Sequence, residues 1–211
     1  MSLSTFIADQ LRKPSGRVGK ILTARLLNRA NVAMNLLTLQ ALDLRADDQV
    51  LEVGFGGGDL ISRMATIVGR GGRVVGVDFS PEMVEVGAKR FAALIQSGSV
   101  ELCCASVEQL PYDSEQFTKA CTVNTIYFWP DPVGALREIR RTLRRRGRLA
   151  LCFNPRATAG KLPYTRHGFT LYDPDEVERL LSESGFGDIR SVTGSHRLGV
   201  SICAIGTKQE A

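Results

Sequence analysis

The sequence predicts an α/β fold, a doubly wound and mostly parallel sheet with helices on both faces. Three observations carry that expectation. Short apolar runs alternate with longer helical stretches from residue 49 onward. The first run, Val50-Leu51-Glu52-Val53, breaks into Gly54-Phe55-Gly56-Gly57-Gly58-Asp59, and a helical pattern follows from Leu60. The second, Arg73-Val74-Val75-Gly76-Val77, ends in Asp78. A strand, a glycine turn, a helix and an acid at the tip of the next strand suit a nucleoside-bearing cofactor. The glycines let backbone approach a ligand closely, and the acid is placed to take both ribose hydroxyls.

The elements follow in order. Residues 1–48 read as largely helical, with a break near Pro14-Ser15-Gly16, and are expected to form a lid over one domain at 49–211. The predicted strands are Gln49–Val53, Arg73–Val77, Val100–Cys104, Ala120–Asn124 and Arg148–Phe153, with helices over 59–69, 81–97 and 132–146. Ser80-Pro81-Glu82 supplies a cap, a proline at the first helical position and an early acid. Asp173-Pro174-Asp175-Glu176 opens another helix, which stops before Gly185-Phe186-Gly187. Two final strands, near 188–193 and 199–207, are joined by a tight return, so the last is predicted antiparallel.

Composition bounds the function classes. The 211 residues suit one domain with a full core, and the 44% apolar content argues against disorder. A formal charge of +5 is too small and local an excess to indicate a polyanion partner. The cysteines, Cys103, Cys104, Cys121, Cys152 and Cys203, are odd in number and mostly lie in apolar strand-like runs, the usage of reduced thiols in the cytoplasm. No C-x-x-C spacing or Cys/His cluster points to a metal. The opening MSLSTFIADQLRKPSGRVGK lacks the apolar core of a signal peptide, and no run approaches membrane-spanning length. The expectation is a cytoplasmic protein without membrane insertion.

Glycine spacing narrows the cofactor. A dinucleotide turn needs G-x-G-x-x-G, with the pyrophosphate on the helix N-terminus. Here the glycines fall at 54, 56 and 58 and Asp59 follows. A carboxylate there repels a pyrophosphate and tolerates an ammonium and a sulfonium. With Glu52 before the turn and Asp78 after it, the pattern E-x-G-x-G-x-G resembles the class I S-adenosylmethionine-dependent methyltransferases. The likeness is closest to the small-molecule enzymes of the ubiquinone/menaquinone-biosynthesis (methyltransferase type 11) kind. Gly76-Val77-Asp78-Phe79-Ser80-Pro81-Glu82-Met83, Glu108-Gln109-Leu110-Pro111-Tyr112, Leu136-Arg137-Glu138-Ile139-Arg140-Arg141-Thr142-Leu143 and Gly147-Arg148-Leu149 extend it.

That resemblance implies a Rossmann-like seven-stranded sheet, order 3-2-1-4-5-7-6, with the last strand antiparallel. It implies S-adenosylmethionine as cofactor and S-adenosylhomocysteine as product. It casts Gly54, Phe55, Gly56 and Gly58 around the methionine part, Asp78 on the ribose, and Phe79 and Met83 beside the adenine, with Glu52 also at the cofactor. The family's adenine-binding Asp is replaced here by Ser106, a weaker acceptor, while Val107 offers a backbone N–H. A second departure, Phe117-Thr118-Lys119 where relatives have Phe-Asp, is expected to act only locally.

The methyl acceptor is expected at the end of the fourth strand, Asn124-Thr125-Ile126-Tyr127-Phe128-Trp129-Pro130, with Asn124 also against the cofactor. This is not the Asn/Asp-Pro-Pro-Tyr signature of enzymes methylating nucleic-acid amino groups. It reads as an aromatic wall for a small acceptor, or equally as core packing. Methyl transfer needs alignment, exclusion of water and at most one proton acceptor. Tyr127 and His167 are the candidate bases, with Tyr164 as a comparable one. Tyr164, on the 154–170 loop with His167, is also expected at the acceptor, as are Tyr127 and Trp129, and His196 reads as remote. Asn28, Asn31 and Asn35 make a polar stripe on an apolar helix, readable as the pocket-lining face of the lid or as a solvated face. Arg137, Arg140, Arg141 and Arg144 are expected on one helix side, with Arg145 and Arg146 in its final turn, as a solvated basic face rather than a nucleic-acid contact. A nicotinamide-dependent oxidoreductase, a non-catalytic cofactor-binding protein and an RNA methyltransferase are the rival readings.

Overall fold

The glycine turn and the acid at residue 78 lie at the carboxyl ends of neighbouring strands in one seven-stranded sheet. The structure is a computed structural model and describes residues 4, 5, 8, 31–197 and 199–210. Its strands are β1 (Gln49–Val53), β2 (Arg73–Asp78), β3 (Val100–Cys104), β4 (Phe117–Val123), β5 (Leu143–Phe153), β6 (Phe186–His196) and β7 (Gly199–Lys208), in the order β3-β2-β1-β4-β5-β7-β6. The first five strands pair in parallel, and β7 runs antiparallel to both β5 and β6. Order and reversed last strand are those expected. The expected break at Pro14-Ser15-Gly16 and the first stripe residue, Asn28, lie outside the described residues.

Alternation along the strands builds two cores, one on each face. Leu51, Val53, Val75, Val77, Leu149, Leu151 and Phe153 pack on one side with α5 (Pro132–Thr142) and α7 (Pro174–Glu183), through Leu136, Ile139, Val177 and Leu181. Val50, Val74, Cys121, Cys152 and Cys203 pack on the other with α1 (31–42), α2 (Asp59–Val68) and α3 (Pro81–Arg90). Successive strand side chains point to opposite faces, so each run serves both cores. Each large apolar side chain buried there contributes about 1.5–3 kcal/mol. Helix α1 belongs to this packing: Met34, Leu37, Ala41 and Leu42 are buried, and Arg148 donates to the terminal carbonyls of Ala41 and Leu42 at 3.2 and 3.3 Å.

Several boundaries differ from expectation. The 81–97 helix is two: α3 stops at Arg90, Phe91 leaves helical geometry (φ −104°, ψ 18°), and α4 (Ala92–Gln96) follows. Phe91 turns in against the glycine turn, which explains the break. Helix α5 ends at Thr142 rather than 146, because Leu143 is extended, fully buried and paired with Phe117. Arg144, Arg145 and Arg146 therefore belong to an irregular start of β5, with Arg146 at φ 61°, and not to a helical turn. The arginines that are on α5 serve the fold. Arg137 donates to Glu183 O, Arg140 to Gly185 O and Arg141 to Glu138. The short α6 (Arg156–Ala159) and a 3-10 turn at Pro163–Arg166 fill the connection after β5.

Candidate active site

The turn after β1 holds three glycines at positive φ: Gly54 (74°), Gly56 (48°) and Gly58 (73°). At Gly54 the need is double, since a Cβ would also sit 2.3 Å from Thr125 Cγ2. The Gly54 N–H donates to Val77 O at 2.7 Å, so the turn is sewn to β2. Gly58 caps α2, and a Cβ there would meet the Phe91 ring at 2.6 Å. Arg90 donates to the carbonyl of Gly57, closing the turn from the other side.

Beside this turn lies a cavity of about 330 Å³ at the carboxyl ends of β1, β2 and β4. Of the residues expected at the cofactor, Glu52, Gly54, Phe55, Gly56, Asp78, Phe79, Met83, Ser106, Val107 and Asn124 line it. Gly58 does not; its neighbour Gly57 does. Of those expected at the acceptor, Asn31, Asn35 and Trp129 line it, whereas Tyr127 and Tyr164 do not. Neither His167 nor His196 reaches it: His167 is exposed with Nε2 3.3 Å from Ser4 Oγ, and His196 Nε2 lies 3.1 Å from Asn154 Oδ1. Glu108, Thr125, Phe128 and Pro130 complete the wall. Glu108 and Thr125 lie within runs singled out in the sequence but without a role of their own there; the loops after β3 and β4 bring them to the same wall.

The charge of the lining has one sign. It carries Glu52, Asp59, Asp78 and Glu108 and, among the described residues, no lysine, arginine or histidine. Glu52 is wholly buried and its Oε2 has no hydrogen-bond partner. Burial, with Asp78 and Asp59 nearby, pushes its carboxyl well above the ordinary value. Asp78 is also raised by burial, opposed by N–H groups of Ser80 and Gly56 that donate to its two oxygens at 3.0 Å each. Asp59 behaves oppositely. Burial pushes it up, but hydrogen bonds from Arg63 (2.8 Å) and Asn35 (3.0 Å) outweigh that and hold it below the usual carboxylate range. The Ser106 hydroxyl is drawn into its own loop, accepting from the Glu108 N–H at 3.2 Å.

The β4 edge forms the other wall. Asn124 stands just past the strand at φ 58°, a conformation uncommon outside glycine and one that Asn tolerates best. A 3-10 turn, Ile126–Phe128, then sends Phe128 and Trp129 to the cavity and Tyr127 beneath it. Phe128 meets Phe169 edge-on with centroids 4.6 Å apart, and Tyr164 meets Phe169 at a tilt with centroids 5.9 Å apart. Tyr127 is 5% exposed, and burial pushes its hydroxyl up. That hydroxyl accepts from Asn154 N–H at 2.6 Å and lies 3.1 Å from Asn124 Oδ1 and 3.0 Å from Asn154 O. The two described residues of the asparagine stripe face inward: Asn31 Oδ1 accepts from Asn124 at 2.9 Å, and Asn35 holds Asp59.

Comparison with known proteins agrees with this geometry. A family model described as a methyltransferase domain matches residues 51–151. A ubiquinone/menaquinone biosynthesis C-methyltransferase, UbiE, from Citrifermentans bemidjiense is 26% identical over 198 residues, covering 81% of this chain and 83% of that protein. A 37.1 kDa protein of transposon TN4556 from Streptomyces fradiae is 36% identical over 113 residues, and the chain spans 32% of its length. Among solved structures, an S-adenosylmethionine-dependent methyltransferase from Aquifex aeolicus superposes with a TM-score of 0.71 at 18% identity, covering 98% of this chain and all of that one.

Proposed function

We propose that this chain, which belongs to the class I S-adenosylmethionine-dependent methyltransferases, methylates a small acceptor with a flat, largely apolar face. The observation that carries the reading is the single cavity in which an all-acidic glycine cradle meets an aromatic wall. The residues present suit the cofactor. Glu52 Oε2 is a buried acceptor without a donor, matched to an ammonium, and the buried carboxylates of Glu52 and Asp78 suit a sulfonium better than a pyrophosphate. Asp78 would hold the ribose, Glu52, Gly54, Phe55 and Gly56 the methionine part, and Phe79, Met83, Ser106 and Val107 the adenine. Bound there, the cofactor supplies an electrophilic methyl group on sulfur.

The chain's own contribution is alignment and dryness. Phe128, Trp129 and Pro130 offer the acceptor a flat apolar seat, while Asn31 and Asn124 offer polar contacts beside it. Among the described residues the lining has no histidine, lysine, cysteine or tyrosine, and its carboxylates are weak bases, which suits an acceptor that needs no strong base. A small-molecule acceptor is supported by the UbiE relative, a C-methyltransferase of ubiquinone/menaquinone biosynthesis. It is supported too by the α5 arginines Arg137, Arg140 and Arg141, whose side chains bond within the fold. Among the described residues no helix is long and apolar enough to cross a membrane, and all five cysteines are free. The free thiols support a cytoplasmic site of action.

Calorimetric titration with S-adenosylhomocysteine, with NADH in parallel, tests the reading. Micromolar-range binding of the first alone is expected. Binding of NADH alone would overturn the assignment of the cradle.

A further inference from the structure

One chain of hydrogen bonds leads from the buried backbone into the acceptor side of the cavity, and its polarity can be followed atom by atom. It starts at the Asn154 N–H, which can only donate, and the Tyr127 oxygen accepts it at 2.6 Å. The next member is Asn124, whose amide has two possible orientations. Its nitrogen side faces Met34 Sδ at 3.1 Å and Asn31 Oδ1 at 2.9 Å. A thioether sulfur carries no proton and can only accept, so the group facing it is the NH2. The carbonyl side is then turned to the Tyr127 hydroxyl at 3.1 Å and shares its proton with Asn154 O at 3.0 Å. Asn31 meets the Asn124 NH2 with its oxygen, and its own amide nitrogen has no hydrogen-bond partner among the described residues. Asn31 lines the cavity. The chain therefore ends in a donor.

Nothing about binding the cofactor requires Tyr127. It does not line the cavity, it is 5% exposed, and its hydroxyl is committed to Asn154 and Asn124. Its phenol does hold the amide of Asn124, a residue kept at φ 58° on the strand end that faces the acceptor. A phenylalanine would fill the same volume and lose that hold, together with the bonds to Asn154.

We propose that Tyr127 is a positioning residue that, through Asn124, keeps the Asn31 amide N–H toward the methyl acceptor. The site thereby selects acceptors that place a lone-pair-bearing oxygen beside the reacting atom over acceptors that place an N–H donor there. This rests on the acceptor seat described above, between Asn31, Asn124, Phe128 and Trp129.

The test uses the full chain saturated with S-adenosylhomocysteine and two neutral bicyclic probes of similar size, 1-indanone, a carbonyl acceptor, and indoline, an N–H donor. Trp129 is the only tryptophan and lines the cavity, so its fluorescence reads occupancy directly. The wild-type protein is expected to bind the ketone more tightly than the amine. Tyr127→Phe should shrink that ratio by about fivefold, while S-adenosylhomocysteine affinity is unchanged. Asn31→Asp keeps the oxygen that Asn124 needs and replaces the terminal donor by an acceptor, so it should reverse the preference; it also serves if Tyr127→Phe does not fold. A ratio unmoved in the folded variants, with both probes still bound, overturns the role of Tyr127 and Asn31 and leaves the seat standing. Failure of both probes to perturb Trp129 in cofactor-loaded protein overturns the seat itself, and the inference with it.

Discussion

The carboxylate of Asp78 accepts a hydrogen bond from the backbone N–H of Gly56 at 3.0 Å, tying the tip of β2 to the middle of the glycine turn. The same side chain spans the Ser80 N–H that begins α3. The acid thus shapes the cradle that it helps to line, and shape and affinity should fail together.

Asp78→Ala is expected to weaken S-adenosylhomocysteine binding by about 1–3 kcal/mol through loss of charge-assisted hydrogen bonds. It should also lower the melting temperature of the ligand-free protein, because the Gly56 and Ser80 N–H groups lose their acceptor. Unchanged affinity by calorimetry would remove Asp78 from the cofactor.

Gly54→Ala is expected to cost about 1–3 kcal/mol of stability, from a left-handed backbone and from contact with Thr125. Thr125→Ser removes the Cγ2 that the new methyl would meet and keeps the hydroxyl that bonds Thr122. The double variant should recover part of the loss in thermal unfolding. No recovery would place the whole cost in the backbone.

Glu52 makes the ligand-free protein sensitive to pH in an unusual direction. Its folded-state carboxyl titrates well above the ordinary 4.5. Below that ordinary value both folded and unfolded chains hold the proton, and burial costs least. Above it the unfolded chain releases the proton first, so stability falls as pH rises toward the folded value. Glu52→Gln should therefore melt higher than wild type at pH 8 by more than at pH 5, by about 2–4 °C for each kcal/mol regained. An equal gap at both pH values would refute the shift. The variant should bind S-adenosylhomocysteine more weakly, since a neutral amide replaces the acceptor offered to the ammonium.

Ser106→Asp is expected to tighten S-adenosylhomocysteine binding by about 1 kcal/mol, because a carboxylate is the stronger acceptor for an exocyclic amine. The wild-type hydroxyl is partly taken by the Glu108 N–H. Titration of the two proteins side by side decides it, and weaker binding in the variant would mean that this loop does not meet the adenine.

Much of this site was legible because its parts are close in sequence to the backbone features that place them. Glu52, Gly54, Gly56 and Asp78 sit at strand ends that apolar runs and turn residues mark clearly. The aromatic edge was not separable by sequence: one 3-10 turn decides that Phe128 and Trp129 face the cavity and Tyr127 does not. The stripe of Asn31 and Asn35 was visible, but solvent and a polar cavity wall suit asparagine equally. Only the meeting with Asn124 and Asp59 resolves its direction. The end of α5 was misread for a different reason. Arg144-Arg145-Arg146 continues a good helix-forming pattern, and the pairing of buried Leu143 with Phe117 overrides it.

That irregular start of β5 has a further consequence. Between two paired positions β4 advances from Phe117 to Lys119, while β5 advances from Leu143 to Arg148. The surplus residues bulge outward on the solvent side, at the end of the sheet away from the cavity. Length can change there without rotating Leu149, Leu151 and Phe153 off their face. Substitutions, short insertions or a grafted epitope at 144–146 would leave the reading frame of the strand, and of the Asn154 beyond it, undisturbed. The bulge works as an expansion joint, letting the surface drift while the register behind it is kept.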